Sequence, residues 1–261
     1  MRVVLTQPSV RARDASDFDY VATLLRKRRF RGQSDDVIVL PELIGENSAT
    51  ADYLARCAAM AQEFGCHVIG GSHFTEAGGR MINQGAVVDA RGEVVTLYQK
   101  ANPYGLEREF STGSDRAGAS FKIGEVECFV LVCADFWHVD AYRGLPAQPE
   151  IIFVPAFSVS RKSTPDLARA RWRHAMIARA FEQAAYIAVS DWAYPVGKEI
   201  RPSSGVAGLA HPDPARTEDL LRSLGKSEVQ VFEIDPEAGR LLREDQKSRG
   251  FEIARMRQEQ P

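Results

Sequence analysis

The chain has 261 residues, 44% hydrophobic and 26% charged, with a formal net charge of −2. That balance suits a globular protein with a sizeable core and offers no strong field for nucleic acid or an anionic membrane. No apolar run approaches the roughly 18 residues that a bilayer span needs, so neither is expected as a partner.

In chain order, Arg2 to Thr6 reads as a short apolar strand. Asp17 to Arg29 has helical spacing, with Phe18, Val21, Leu24 and Leu25 on one face and the basic run Arg26 to Arg31 at its solvated C-terminal end. Val37 to Leu40 is a compact strand stopped by Pro41, and Ala49 to Phe64 is a helix closed by Gly65. His67 to Phe74, Met81 to Asp89 and Glu93 to Gln99 read as three strands, the last two joined by a hairpin turn over Asp89 to Gly92. Residues 101–120 form a loop rich in Gly and Ser. Strands follow at Phe121 to Ile123, Cys128 to Val132 and Ile151 to Val154, then an amphipathic helix over Asp166 to Gln183. Ala185 to Ser190, Gly205 to Ala210 and Val229 to Ile234 complete the strands, and a charged tail begins at about residue 240. Helices alternate with strands, but strand pairs also follow one another. This predicts one α/β domain over residues 1–261 with mixed sheets.

The four cysteines, Cys57, Cys66, Cys128 and Cys133, form no C-x-x-C pair and no zinc-ligand spacing with the five histidines. With no signal peptide at the N-terminus, they are expected to be reduced thiols in a cytoplasmic protein. No metal site or cofactor is expected. A serine hydrolase is disfavoured because no Gly-x-Ser-x-Gly elbow occurs, and a dinucleotide enzyme because no Gly-x-Gly-x-x-Gly follows a strand.

Three strands end alike. VIVL runs into Pro41-Glu42, VVTLYQ into Lys100 and CFVLV into Cys133. Functional groups in α/β proteins gather where strands end and loops begin. A thiol, a carboxylate and an ammonium there form a complete set: nucleophile, base, and cation for a thiolate or an oxyanion. Each residue alone has a bland reading. A lone cysteine is most often a buried core thiol, and a lone lysine at a strand end a surface charge.

The ordered set resembles the nitrilase superfamily of carbon–nitrogen hydrolases. The matching stretches are VIVLPEL (37–43), YQKANPYGLEREFSTGSD (98–115) and LVCADFW (131–137). IIFVPAFS (151–158), RWRHAMIARAFEQAAYIAVSD (171–191) and SSGVAGLAHP (203–212) agree with later parts of the family pattern, with Glu182-Gln183 where Glu-Asn is usual. The resemblance spans nearly the whole chain. It implies a single-domain αββα sandwich with two mixed sheets, usually paired through its helices into a homodimer or a larger assembly. It places Glu42, Lys100 and Cys133 as a catalytic triad, with a second glutamate in the loop after the lysine. Glu107 is favoured there, because Phe110 and Gly113 follow it at the family's distance, and Glu109 is the alternative.

The implied chemistry is attack of Cys133 on the carbonyl of a small-molecule amide, with Glu42 as base and Lys100 and the backbone N–H of Ala134 holding the oxyanion. Asp135 is expected to anchor the turn that aims the nucleophile, and Phe136 and Trp137 either line a pocket or pack beneath it. The stretch after Cys133 lacks the Arg-Phe-Pro-Glu continuation of many small-amide hydrolases and the Cys-Trp-Glu of true nitrilases, so amide hydrolysis is favoured over nitrile hydrolysis and the acyl group is left open. An acyltransferase using the same residues and a non-catalytic binding relative are the alternatives.

Overall fold

The computed structural model describes residues 1–9, 17–46, 48–143, 145–160, 162–195 and 203–251. Its elements are strands β1 (Arg2–Thr6), β2 (Val37–Val39), β3 (His67–Ile69), β4 (His73–Ala77), β5 (Arg80–Val88), β6 (Val94–Gln99), β7 (Ala119–Ile123), β8 (Val126–Val130), β9 (Ile151–Pro155), β10 (Tyr186–Ser190), β11 (Gly208–Ala210), β12 (Leu221–Ser223) and β13 (Val229–Glu233). The helices are α1 (Asp17–Lys27), α2 (Thr50–Phe64), α3 (Glu107–Phe110), α4 (Asp166–Gln183) and α5 (Glu237–Ser248).

The first sheet runs β13-β1-β2-β3-β5, with β4 and β6 both paired to β5; the second runs β12-β11-β10-β9-β8-β7. Both are mixed: β1-β2-β3 and β8-β9-β10 are parallel, and the outer pairings are antiparallel. Strand periodicity sorts the side chains into layers. Val3 and Leu5 of β1 and Val37 and Val39 of β2 face the second sheet and join Phe129, Ile152 and Phe153 in one core. Val4 and Ile38, pointing the other way, pack under Phe18, Val21 and Leu25 of α1 and Tyr53, Met60 and Phe64 of α2. On the far side, α4 buries Trp172, Met176 and Ala180 against the second sheet. The result is the expected αββα arrangement. Each large side chain so buried contributes about 1.5–3 kcal/mol of transfer free energy.

A polar seam crosses the interface between the two sheets. Thr6 Oγ1 and Ser190 Oγ both donate to the carbonyl of Val39, at 2.7 and 2.8 Å, and Ser190 Oγ accepts from the Thr6 N–H. These bonds join the C-terminal ends of β1, β2 and β10, and so fix the relative height of the two sheets where the chain turns toward Glu42.

Two expectations are corrected by tertiary structure. His67 to Phe74 is two strands, because Gly71 has φ 67°, and its Cα lies so close to Pro41 that a Cβ would sit 2.0 Å from that carbonyl oxygen. The charged segment after about residue 237 is not a free tail in its described part but helix α5. Gly239, Leu242 and Gln246 recur at helical spacing and are its buried face. Gln246 Nε2 donates to Phe181 O, and Glu150, buried at the start of β9, accepts from Arg240 at 3.3 Å. The rest of the expected tail, 252–261, lies outside the described residues. Residues 221–223, not read as a strand, form the edge strand β12.

Candidate active site

The three strand-end residues meet. Glu42 lies three residues past β2, Lys100 directly follows β6, and Cys133 lies three past β8, so the two sheets contribute opposite sides. Lys100 Nζ donates to Glu42 Oε1 at 2.7 Å and to Glu107 Oε2 at 2.5 Å. Both side chains and the ammonium are almost wholly shielded from solvent. Glu107 opens the short helix α3, and the backbone N–H of Tyr104 donates to its Oε2 at 3.1 Å. Glu109, the alternative at the sequence level, is exposed on the other face of α3, beside Glu76, Arg80 and Arg108 in a surface groove.

The sequence dictates why each group stays put. Glu42 is gripped through its backbone: its N–H donates to Ala156 O, and its carbonyl accepts from Trp192 Nε1 at 2.7 Å. The backbone N–H of Lys100 extends the β5–β6 ladder by one bond, to Asn83 O. Cys133 has φ 44°, a left-handed conformation that a side chain adopts only when its surroundings impose it. It begins a tight 3-10 turn, Cys133–Trp137, in which Asp135 N–H bonds back to Val132 O. The Asp135 carboxylate reaches across to the loop after Lys100, accepting from the N–H groups of Ala101 and Asn102 and from Asn102 Nδ2. It thus anchors the nucleophile turn to the lysine loop rather than to its own backbone.

The electrostatics favour a protonated thiol at rest. Burial pushes the Cys133 thiol well above its ordinary pKa, the neighbouring Glu42 raises it further, and Lys100 opposes both. The pull of Lys100 on the thiol is thus outweighed by burial and by Glu42. Burial also lifts Glu42 above the usual carboxylate range, with Lys100 pulling down and Glu107 pushing up. Burial pulls Lys100 down, but Glu42, Cys133 and Glu107 together hold it above its ordinary value, so it stays an ammonium. The Cys133 thiol makes a long contact, 3.6 Å, with the carbonyl of Phe157. The other cysteines are buried core thiols, and burial lifts Cys57 and Cys66 to about 12.

Ala134, half-buried, immediately follows Cys133. Phe136 is buried and stacks flat on Trp172 at 5.3 Å, so it packs beneath the turn; Trp137 is 43% exposed and meets the edge of Trp172. Sequence reasoning missed Asn83 and the Asp191 support. Asp191 is fully buried and accepts from Ser158, Ser203 and Val206, which fixes the segment carrying the Phe157 carbonyl. A polar residue at an inward position of the apolar strand MINQGAVV was the available signal for Asn83.

A thiol, a shared ammonium and two carboxylates thus meet at one buried site. Residues 28–246 match the family model described as Carbon-nitrogen hydrolase. The chain belongs to the carbon–nitrogen hydrolase family. An N-carbamoylputrescine amidase from Solanum lycopersicum is 29% identical over 153 residues, covering 56% of this chain and 50% of the relative. The chain thus spans about half the length of the curated relatives it matches. Among solved structures, the Nit3 protein of Saccharomyces cerevisiae, a member of branch 10 of the nitrilase superfamily, superposes with a TM-score of 0.75 at 15% identity, over 94% of this chain and 93% of that one. An amidase from Nesterenkonia sp. AN1, in a variant showing Michael addition of acrylamide at its active-site cysteine, gives a TM-score of 0.66 at 17% identity over 96% and 99%. At such identities the structural likeness establishes the fold and nothing finer.

Proposed function

We propose that the protein hydrolyses a carbon–nitrogen bond in a small-molecule amide through a thioester on Cys133. The observation that carries this reading is the buried Glu42–Lys100–Glu107 cluster facing a cysteine in a left-handed turn. Glu42 takes the thiol proton as sulfur adds to the carbonyl carbon. The oxyanion is held by Lys100 Nζ and the Ala134 N–H. Glu42 returns the proton to the departing nitrogen, and ammonia or an amine leaves. Water, deprotonated by Glu42, then attacks the thioester, a carboxylic acid forms and the thiol is restored. Glu107 keeps Lys100 in place and shares its charge. The family's membership and its amidase relatives support hydrolysis of an amide; the acyl group is not part of the proposal. We also propose that the protein works in the cytoplasm as a homodimer.

The test is ammonia release from a panel of small carboxamides and carbamoyl compounds, with intact mass recorded alongside. The wild type is expected to release ammonia and to show a transient acyl adduct. Cys133→Ala is expected to lose activity by ~10³-fold or more while keeping its thermal transition. Activity surviving in Cys133→Ala, or lost equally in Cys128→Ala, overturns the assignment. An adduct that forms without turnover redirects the reading to acyl transfer.

A further inference from the structure

Asn83 has no part in the steps above, yet it touches three members of the site. It sits on β5 and is 1% exposed. Its Nδ2 donates to Glu42 Oε1 at 3.0 Å and to Glu107 Oε1 at 2.9 Å, and its carbonyl accepts the Lys100 N–H at 3.0 Å. Both amide hydrogens are thus committed to two different carboxylates. The amide orientation follows, since the reverse would press an oxygen against both. In this orientation Oδ1 is buried and has no hydrogen-bond partner among the described residues. Leaving a buried acceptor empty is costly, and an apolar residue would fill the same space without that cost. The donors, not the packing, are therefore what this residue supplies.

We propose that Asn83 is a positioning residue that holds Glu42 and Glu107 in the orientation in which Glu42 can take the Cys133 proton. Two carboxylates share one ammonium, so the cluster carries a net negative charge in a dry site. Hydrogen bonds donated to a carboxylate favour its ionised form. The groups facing Glu42 are Lys100 from the end of β6, Glu107 from α3, Cys133 from the turn after β8, and neutral Trp192 after β10, with Asp135 behind Lys100. Asn83 is the neutral donor common to both glutamates. Without it, Glu42 competes with Glu107 for Lys100 alone, and holds its own proton to higher pH. The inference rests on the amidase reading only in taking Glu42 as the base for Cys133.

The experiment uses the full chain and a reagent that needs no substrate. Alkylation of Cys133 by iodoacetamide is followed by peptide mass from about pH 5 to about pH 9, the range in which carboxylate and thiol both titrate. Wild type, Glu42→Gln, Asn83→Leu and Asn83→Asp are compared, each after a thermal melt. In Glu42→Gln the limb set by the carboxylate is expected to be lost, leaving only the alkaline rise of the Cys133 thiol itself. In Asn83→Leu the carboxylate limb moves up by about one pH unit, and in Asn83→Asp further, since a third carboxylate replaces the donor. An unmoved limb in either folded Asn83 variant, or a Glu42→Gln profile identical to that of the wild type, overturns the proposal. If neither Asn83 variant folds, the wild-type side-chain ¹⁵N amide signal that changes in Glu42→Gln is followed instead. It must titrate with the alkylation limb, and a signal that stays fixed overturns the role. A wild type that alkylates with the expected limb shifts but releases no ammonia removes the amidase reading and leaves this one standing.

Discussion

At the scale of single residues, the site depends on one cation serving two buried anions. Lys100→Met leaves Glu42 and Glu107 facing each other without it. Breaking such a buried pair typically costs about 3–5 kcal/mol. The variant is expected to lose that much in urea denaturation at alkaline pH and less in acid, where a carboxylate can take up a proton; equal loss at both pH values contradicts the charge argument. Burial, outweighing Lys100 and the other donors, holds Glu42 above the usual carboxylate range. Two consequences follow with fixed sign. Activity needs the ionised base, so the acid limb of kcat/KM lies above that of an ordinary carboxylate and rises with pH. The folded state binds this proton more tightly than the unfolded one, so Glu42 contributes stability below the unfolded pKa that is lost as pH rises through the folded one. Glu42→Gln is expected to be inactive and to flatten that decline in a series of melts.

At the scale of elements, the site is set by where strands stop. β2, β6 and β8 each end within three positions of Glu42, Lys100 or Cys133, and the three groups reach the same edge of the sandwich. The close approach of Gly71 to Pro41 couples the β3–β4 connection to the segment leading into Glu42. A methyl group there meets both a left-handed backbone and a carbonyl. Gly71→Ala is expected to cost about 2–3 kcal/mol by thermal or urea denaturation. Its specific activity, corrected for the folded fraction, should also fall, because Pro41 must move and Glu42 with it. Unchanged activity per folded molecule would show that the two segments are independent.

At the scale of the whole molecule, the αββα sandwich buries both sheets and leaves its helices as the outer layers. The outward faces of α4 and α5 carry exposed Leu167, Phe181 and Leu241. Covering them against a second copy would remove apolar surface from water, so light scattering is expected to give twice the mass of one chain. A particle of single-chain mass at micromolar concentration would set the dimer aside. No described helix is long and apolar enough to cross a membrane.

Much of this was readable in the chain alone, for a local reason. Short strand patterns ending just before Glu42, Lys100 and Cys133 report strand ends directly, because strand burial and strand termination are both short-range. Helix α4, with its long amphipathic repeat, was legible to the residue. What lay beyond reach was decided across the sequence. Glu107 and Glu109 are equivalent locally, and only the packing of α3 turns Glu107 inward to Lys100 and Asn83. Phe136 and Trp137 are adjacent aromatics, and only Trp172, from a helix some thirty residues on, makes one a buried support and leaves the other exposed. Helix α5 read as a tail because its charges dominate its composition, whereas Glu150 and the Phe181 carbonyl, far away in sequence, give those side chains partners. The sequence by itself determined which residues stand at strand ends and therefore the chemistry available. Tertiary structure decided protonation and orientation, since the thiol's raised pKa, the shared ammonium and the two-carboxylate grip of Asn83 all arise from burial and from charges brought together by the fold.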